Sequence, residues 1–351
     1  MKIIGFLLIT LVTFHRSLQA LAIEVPRSIP LGTSDFTHRS LGATCFAMDS
    51  VLDGLPCNPA FTARERKTQL QAHIFFGNNV SYIQDVNDIM NGQTNQKNIE
   101  HFFNQTRSSE MEANVELGFL TEKFGLSFSP YRLSYYSLVR NTSLPVITLF
   151  AGQEQTIRAQ LASYVQEDYF FGVQLRVVQR KFILSEFTLA DALVESAQDD
   201  IFKVRQQNAV YFEPGFLWAP DDYEWSPQVS VVITQLGAVD KKYAELPASP
   251  QGHLGASIKP PLPLGELELG ATFSAQSRFE KWTELFRGGV SYKLGATQYV
   301  ASFTDNQFDL AFLLRFRGIR GGLTYDFRKF QNTQGDSDEV RTIYSQIGIE
   351  I

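Results

Sequence analysis

Glu266-Leu267-Glu268-Leu269-Gly270-Ala271-Thr272-Phe273-Ser274 is the stretch that decides the fold class. Its odd positions are apolar, and its even positions are charged, small or hydroxylated. Strict alternation with a period of two marks a β-strand whose two faces meet unlike surroundings. The scheme recurs over Gln307 to Phe316: Phe308, Leu310, Phe312, Leu314 and Phe316 share one face, and Gln307, Asp309 and Arg315 share the other. It returns at Ala113–Phe119, Val173–Arg180 and Ile319–Arg328. The C-terminus repeats it, with Ile343, Ile347, Ile349 and Ile351 opposite Tyr344, Gln346 and Glu350.

Outward from these runs, strands are predicted near 69–77, 111–120, 125–137, 144–165, 168–183, 207–219 and 227–237. The rest lie near 252–260, 264–276, 284–294, 296–304, 306–316, 319–328 and 340–351. The total is about 14, and single-chain bacterial barrels have even counts. The run 144–165 is long and contains Gly152. Dividing it would put the two termini on opposite sides of a barrel, which favours one interrupted strand. One set of connections (121–124, 166–167, 220–226, 261–263, 295 and 317–318) is short. The alternate set (78–110, 138–143, 184–206, 238–251, 277–283, 305 and 329–339) is mostly long. Short periplasmic turns and longer external loops are the outer-membrane pattern. The expected fold is therefore all-β: a transmembrane antiparallel β-barrel with outer-membrane lipid around it.

Composition agrees. Over 351 residues the mean hydropathy is only -0.12, as expected when lipid-facing and lumen-facing residues alternate. Beyond the N-terminal leader no segment could cross as a helix, since apolar stretches such as Val229–Ile233 fall far below the roughly 20 residues required. Phe and Tyr are abundant (29 and 13), and Trp218, Tyr223, Trp225, Trp282 and Tyr299 near strand ends suit interfacial girdles. Core packing in a soluble sandwich would account for them too. The net charge is -6 without a basic block, so no nucleic-acid partner is expected. Met1-Lys2, the apolar run Ile3–Phe14 and Ala20-Leu21-Ala22 read as a cleaved signal peptide over 1–22. That implies export across the inner membrane, a hatch-like segment over 23–65 and a barrel over 66–351.

If the apolar face meets lipid, the other face lines the lumen. It collects Arg158, Arg176, Arg180, Glu213, Glu266, Glu268, Lys293, Asp309, Arg315, Arg320, Asp326, Arg328 and Glu350. Mixed signs suit an acid–base ladder bracing the wall or a polar conduit, and the cost of unpaired buried charge favours the ladder. Two long loops carry helical spacing. One has Leu189, Leu193, Ala197, Ile201 and Val204 behind Thr188 as N-cap; the other has Ile83, Val86 and Ile89, then Ile99, Phe102 and Phe103. Cys45 and Cys57, the sole cysteines, read as a disulfide in an exported chain. It would be worth on the order of 3 kcal/mol by loop entropy. The alternative, a metal site, would want further ligands; His38 and His73 are the closest in sequence, at no recognisable spacing.

Arg39-Ser40-Leu41-Gly42-Ala43 through Asp49, followed by Cys57-Asn58-Pro59-Ala60-Phe61, resembles the "GxA…NPA" entry of the outer-membrane long-chain fatty-acid transporter superfamily. That superfamily includes secretion-associated barrels and conjugal-transfer TraF-like proteins. Gln84-Asp85-Val86-Asn87-Asp88-Ile89 and Gly125-Leu126-Ser127-Phe128-Ser129-Pro130 look similar to the TraF-like branch. The resemblance implies a fourteen-stranded barrel with an N-terminal hatch whose motif residues are Gly42, Asn58, Pro59 and Ala60. The chain departs from the pattern in its single Gly42, its bracketing cysteines and its final Ile351, where such barrels commonly end in Phe.

No Gly-x-Ser-x-Gly, His-Glu-x-x-His or phosphate loop occurs, so neither an enzyme nor a cofactor is expected. Two functions stand: passive transport of small hydrophobic molecules, or a non-transporting scaffold that partners proteins of a secretion or conjugal-transfer apparatus. A soluble periplasmic β-protein is the third reading.

Overall fold

The computed structural model describes residues 35–49, 54–64, 68–77, 81–91, 109–140, 146–188, 191, 200–220, 222–239, 250–275, 285–331 and 337–351. The chain is a closed antiparallel barrel. Its strands are β1 (Gln69–Gly77), β2 (Ser109–Leu120), β3 (Phe124–Arg140), β4 (Val146–Gln166), β5 (Tyr169–Thr188), β6 (Arg205–Trp218), β7 (Gln228–Thr234) and β8 (Leu236–Val239). They continue as β9 (Gln251–Ile258), β10 (Glu266–Ala275), β11 (Phe286–Leu294), β12 (Thr297–Phe303), β13 (Gln307–Phe316), β14 (Ile319–Gln331) and β15 (Ser337–Glu350). Neighbours in sequence pair around the wall, and β1 meets β15 at a seam running from Gln71↔Glu350 to Gly77↔Tyr344. Closure pairs the first strand with the last, as a lipid-spanning sheet requires, and among the described residues the short β8 pairs on one side only, with β6.

Alternation becomes geometry. On β13, Phe308, Leu310, Leu314 and Phe316 are exposed outward, while Asp309, Ala311 and Leu313 are buried inward. The outward apolar belt continues through Ile157, Leu175, Phe273, Leu323 and Ile347. Tyr223 and Trp225 are exposed at the short-turn end and Tyr299 on β12, whereas Trp218 is half-buried and Trp282 lies outside the described residues.

Two interruptions have identifiable causes. The expected strand 227–237 is cut at Gln235. Between the pairs Phe212↔Leu236 and Gly215↔Val232, β6 offers Glu213 and Pro214 to three residues of the neighbouring chain. Pro214 has no N–H to donate, so the ladder fails there. Gln235 bulges at φ 58, and its N–H goes instead to Glu213 Oε1 at 3.0 Å. On β3 the register slips between Ser129 and Arg132, around Pro130, and the inward positions change from odd (Ser127, Ser129) to even (Arg132, Ser134). By contrast β4 runs unbroken through Gly152, as one strand of 21 residues.

Strands β3, β4 and β5 have 17, 21 and 20 residues, whereas about 9–11 suffice to cross a bilayer. Their overshoot lies at the long-loop end and carries a second layer. Helix α2 (Ser81–Met90) buries Tyr82, Val86, Ile89 and Met90 against Met111, Leu133, Leu149 and Ile183. Leu149 has the parity of the outward Ile157 and Leu161, and β4 keeps its register with β5 from Val146 to Tyr164. Helix α2 therefore packs on the outside of the wall. Exposed Gln155, Gln179 and Lys181 separate it from the apolar belt, which places it above the lipid. Of the second helical loop, Thr188 caps Asp191: the Asp191 N–H donates to Thr188 Oγ1 at 3.2 Å, and the Thr188 N–H donates to Asp191 Oδ2 at 2.9 Å. Residues 192–199, the piece with Ile99, Phe102 and Phe103, and the expected leader 1–22 lie outside the described residues.

The outward belt generates a test. Leu161→Arg should destabilise the reconstituted barrel by about 2–4 kcal/mol, the midplane cost of an arginine on the lipid face. Urea unfolding from lipid vesicles reads it, and an unchanged midpoint would place that face away from lipid.

Candidate functional site

Residues 35–49 and 54–64 occupy the lumen. Asp35 caps helix α1 (Phe36–Leu41) by accepting from the His38 N–H at 2.8 Å. Gly42 ends the helix at φ 53 and opens a 3-10 turn through Phe46. A side chain on Gly42 would be strained by that φ, and its Cβ would stand 2.1 Å from the Arg287 guanidinium carbon. Cys45 is bonded to Cys57, with Cα atoms 5.7 Å apart, so the two halves of the segment are covalently clasped.

Asn58-Pro59-Ala60 is the other anchor. Asn58 Oδ1 accepts from the Ala60 N–H at 3.0 Å, and Nδ2 donates to the carbonyls of Phe46 (3.4 Å) and Phe216 (3.3 Å). The wall yields where this motif lands. A Cβ on Gly172 would lie 2.3 Å from the Pro59 carbonyl carbon, and one on Gly215 would lie 2.2 Å from Asn58 Oδ1. Leu55 takes the corresponding place at Gly125, Met48 at Gly270 and Phe36 at Gly322. These five glycine positions of the wall thus form part of the seat of the hatch.

Charge completes the fit. Arg39 donates through Nε (3.0 Å) and Nη2 (2.5 Å) to Glu112 Oε2, lies 2.7 Å from Glu110 and 3.5 Å from Asp326, and stacks over Tyr344. From Glu112 the chain of pairs runs to Arg132, Glu154, Arg180 and Gln207 on successive strands. On the other side it runs through Glu110 and Arg328 to Asp326, and Gln307 links Asp326 to Asp309 and its partner Arg287. At this height the seam strands offer Gly77 and Tyr344, neither of them charged. Glu110 and Arg328 span the seam directly at 3.3 Å, and Arg39 of the hatch adds a second cation between Glu110, Glu112 and Asp326. Burial opposes its charge, but Tyr344, Glu110, Glu112 and Asp326 hold its pKa above the ordinary guanidinium value.

Two further ties fasten the hatch. Asp35 pairs with Arg158, which also binds Glu116. Burial pushes the Asp35 carboxyl upward, but His38 and Arg158 outweigh it and hold the pKa well below the usual range. At the short-turn end Asp49 pairs with Lys259 and lies 3.6 Å from Arg64, and these outweigh the effect of its burial to hold its pKa down. Beneath this tie a cavity of about 630 Å³ opens between the hatch and the wall. Asp49, Phe61 and Arg64 line one side, and Lys293, Arg315 and Arg320 another.

The structure places Arg158, Arg176, Arg180, Glu213, Glu268, Asp309, Arg320, Asp326 and Arg328 buried on the inner face. Arg176 meets Glu213 at 2.6 Å, and Arg320 pairs with Glu350. Arg315 is half-buried at the mouth of the cavity, and Glu266 stands exposed there, paired with Lys293. Sequence reasoning missed Glu110, Glu112, Glu116, Arg132, Glu154 and Arg287. Glu110, Glu112 and Glu116 continue the alternation around Ala113–Phe119 and were legible; Arg132 was hidden by the parity change at Pro130.

No known family profile matches the chain, and no curated protein is similar in sequence. Solved structures share the fold. The Ralstonia pickettii toluene transporter TbuX superposes at a TM-score of 0.51 and 6% identity, over 92% of this chain and 98% of that one. A deltaS2S3 mutant of TodX, a monoaromatic hydrocarbon channel, superposes at 0.52 and 11% identity over 92% and 98%. CdiB from Acinetobacter baumannii is similar at 0.37 and 8% identity; 82% of this chain covers 60% of that one.

Arg39→Ala removes one of two cations from Glu110, Glu112 and Asp326, each of which keeps Arg132 or Arg328. The loss should therefore stay below the roughly 3–5 kcal/mol of a fully broken buried pair. Protease cleavage within 35–64 should accelerate while the barrel keeps its heat-modifiable gel mobility, and unchanged cleavage would dismiss the girdle. The tie to Asp35, whose folded pKa is depressed, is fully present above about pH 4 and lost as pH falls below it. Protection of the hatch should decline on acidification in that range, and Asp35→Asn should flatten the decline.

Proposed function

We propose that the chain is an outer-membrane transport barrel that passes small hydrophobic molecules past a lumenal hatch. The observation that carries this reading is the occlusion itself. The lumen is filled by a seated segment, and a cavity of about 630 Å³ lies beneath it, open toward the short-turn end. A wall that needed only bracing would not need glycine seats for a separate insert. The hatch, proposed to span residues 23–65, would arrive after removal of the leader 1–22 and leave the short turns in the periplasm. The fold shared with the toluene transporter TbuX and the hydrocarbon channel TodX supports a hydrophobic substrate class.

A second reading rests on a different observation. The overshoot of β3–β5 with α2 on its outer face is a protein-like layer standing above the lipid on one side of the barrel. Such a platform would suit a scaffold that partners a surface secretion or conjugal-transfer apparatus, in keeping with the TraF-like segments.

Reconstituted vesicles separate the two. The wild-type chain should speed entry of a monoaromatic hydrocarbon and not of a disaccharide, and Arg39→Ala should raise the hydrocarbon rate several-fold by loosening the hatch. Absence of hydrocarbon flux in both proteins would leave the scaffold reading.

A further inference from the structure

The clasp that closes the hatch has a third member. His38 lies on α1 with Nδ1 3.8 Å from Cys57 Sγ, and the donor atoms of His38, Cys45 and Cys57 all lie within 4.8 Å of one another. Asp35 Oδ1 stands 2.8 Å from the same Nδ1. Two sulfurs, an imidazole and a carboxylate converge from three turns of the segment. Phe46 shields the group edge-on at 6.1 Å from the His38 ring. Both sulfurs are buried, and the His38 side chain keeps 13% of its surface.

We propose that these residues form a metal site in the dithiol state of the hatch. One clasp is then held by an S–S bond when oxidised and by a tetrahedral zinc-class cation when reduced. The balance is simple. A dithiol gives two electrons and two protons to the Cys45–Cys57 disulfide and becomes a disulfide itself. Binding of the divalent cation then displaces both thiol protons. Two thiolates and an imidazole make a soft N/S set that favours Zn²⁺ over Mg²⁺ or Ca²⁺, and four-coordinate tetrahedral geometry is its usual form. Asp35 is placed as the fourth donor, since the Nδ1 proton it now accepts leaves when the metal enters. His253, on the other side of Phe46, is not a ligand: its ring nitrogens are held by Thr234 Oγ1 (3.1 Å) and Ser274 Oγ (2.9 Å). The metal would keep α1 joined to the Asn58-Pro59-Ala60 anchor in chains that seat before they oxidise, or that are later reduced.

Cobalt is a visible probe of such a site. The full chain in detergent, reduced with a water-soluble phosphine and kept anaerobic, should take up one Co²⁺ with thiolate charge-transfer and tetrahedral d–d bands. Zn²⁺ should bleach them. The oxidised chain should show neither band. His38→Ala, which leaves the disulfide able to form, should weaken Co²⁺ binding by roughly tenfold or more, the loss of one of the few protein donors. His253→Ala should bind as wild type does. A reduced chain without tetrahedral bands overturns the proposal, whether or not its barrel stays folded. So does His38→Ala binding with undiminished affinity.

Discussion

Charge that must be buried and therefore paired is the constraint on which the rest of this structure depends. Lipid forbids charge on the outer face, so strand alternation turns the ionisable residues level with the apolar belt inward. Inside, an unpartnered ion would be costly, and the pairs consequently link into a girdle from strand to strand. At the seam Gly77 and Tyr344 stand in place of charge, and Glu110 reaches across them to Arg328. Arg39 of the hatch joins the same cluster, pairing with Glu110, Glu112 and Asp326. The insert is thus a member of the wall's own electrostatic network.

Shape follows the same dependence. Glycines on the inner face recess the wall where Asn58, Pro59, Met48 and Phe36 press against it. The motif residues acquire a physical account from this fit. Gly42 turns the chain beside Arg287, Asn58 fastens two segments of hatch and a wall carbonyl, and Pro59 with Ala60 lies flat on Gly172. The Cys45–Cys57 bond holds the first of these anchors to the second. Outside the barrel, the long strands β3–β5 obey a different requirement. Beyond the lipid an apolar outward face must be covered by protein, and α2 covers it.

The strand order, the inner and outer faces and the connection asymmetry could be read from sequence because a period of two is local. Each residue's side follows from its neighbour's, and Glu266–Ser274 or Gln307–Phe316 declares it without reference to any other strand. The disulfide was legible for a similar reason, since an exported chain offered a single pair. Where the reading failed, the cause lay across the sheet. Pro214 on β6 breaks the neighbouring strand at Gln235, and Pro130 reverses the parity that would have revealed Arg132.

What the sequence determined by itself was therefore one-dimensional: which stretches are strands, which face meets lipid and where the chain turns. Tertiary structure alone decided that Arg39 joins the wall's charge cluster at the seam and that α2 packs outside the wall. It also decided that His38 meets the cysteine pair. Each of these joins residues whose meeting depends on barrel closure or on how the hatch is seated, and a local repeat carries no information about distance through the lumen.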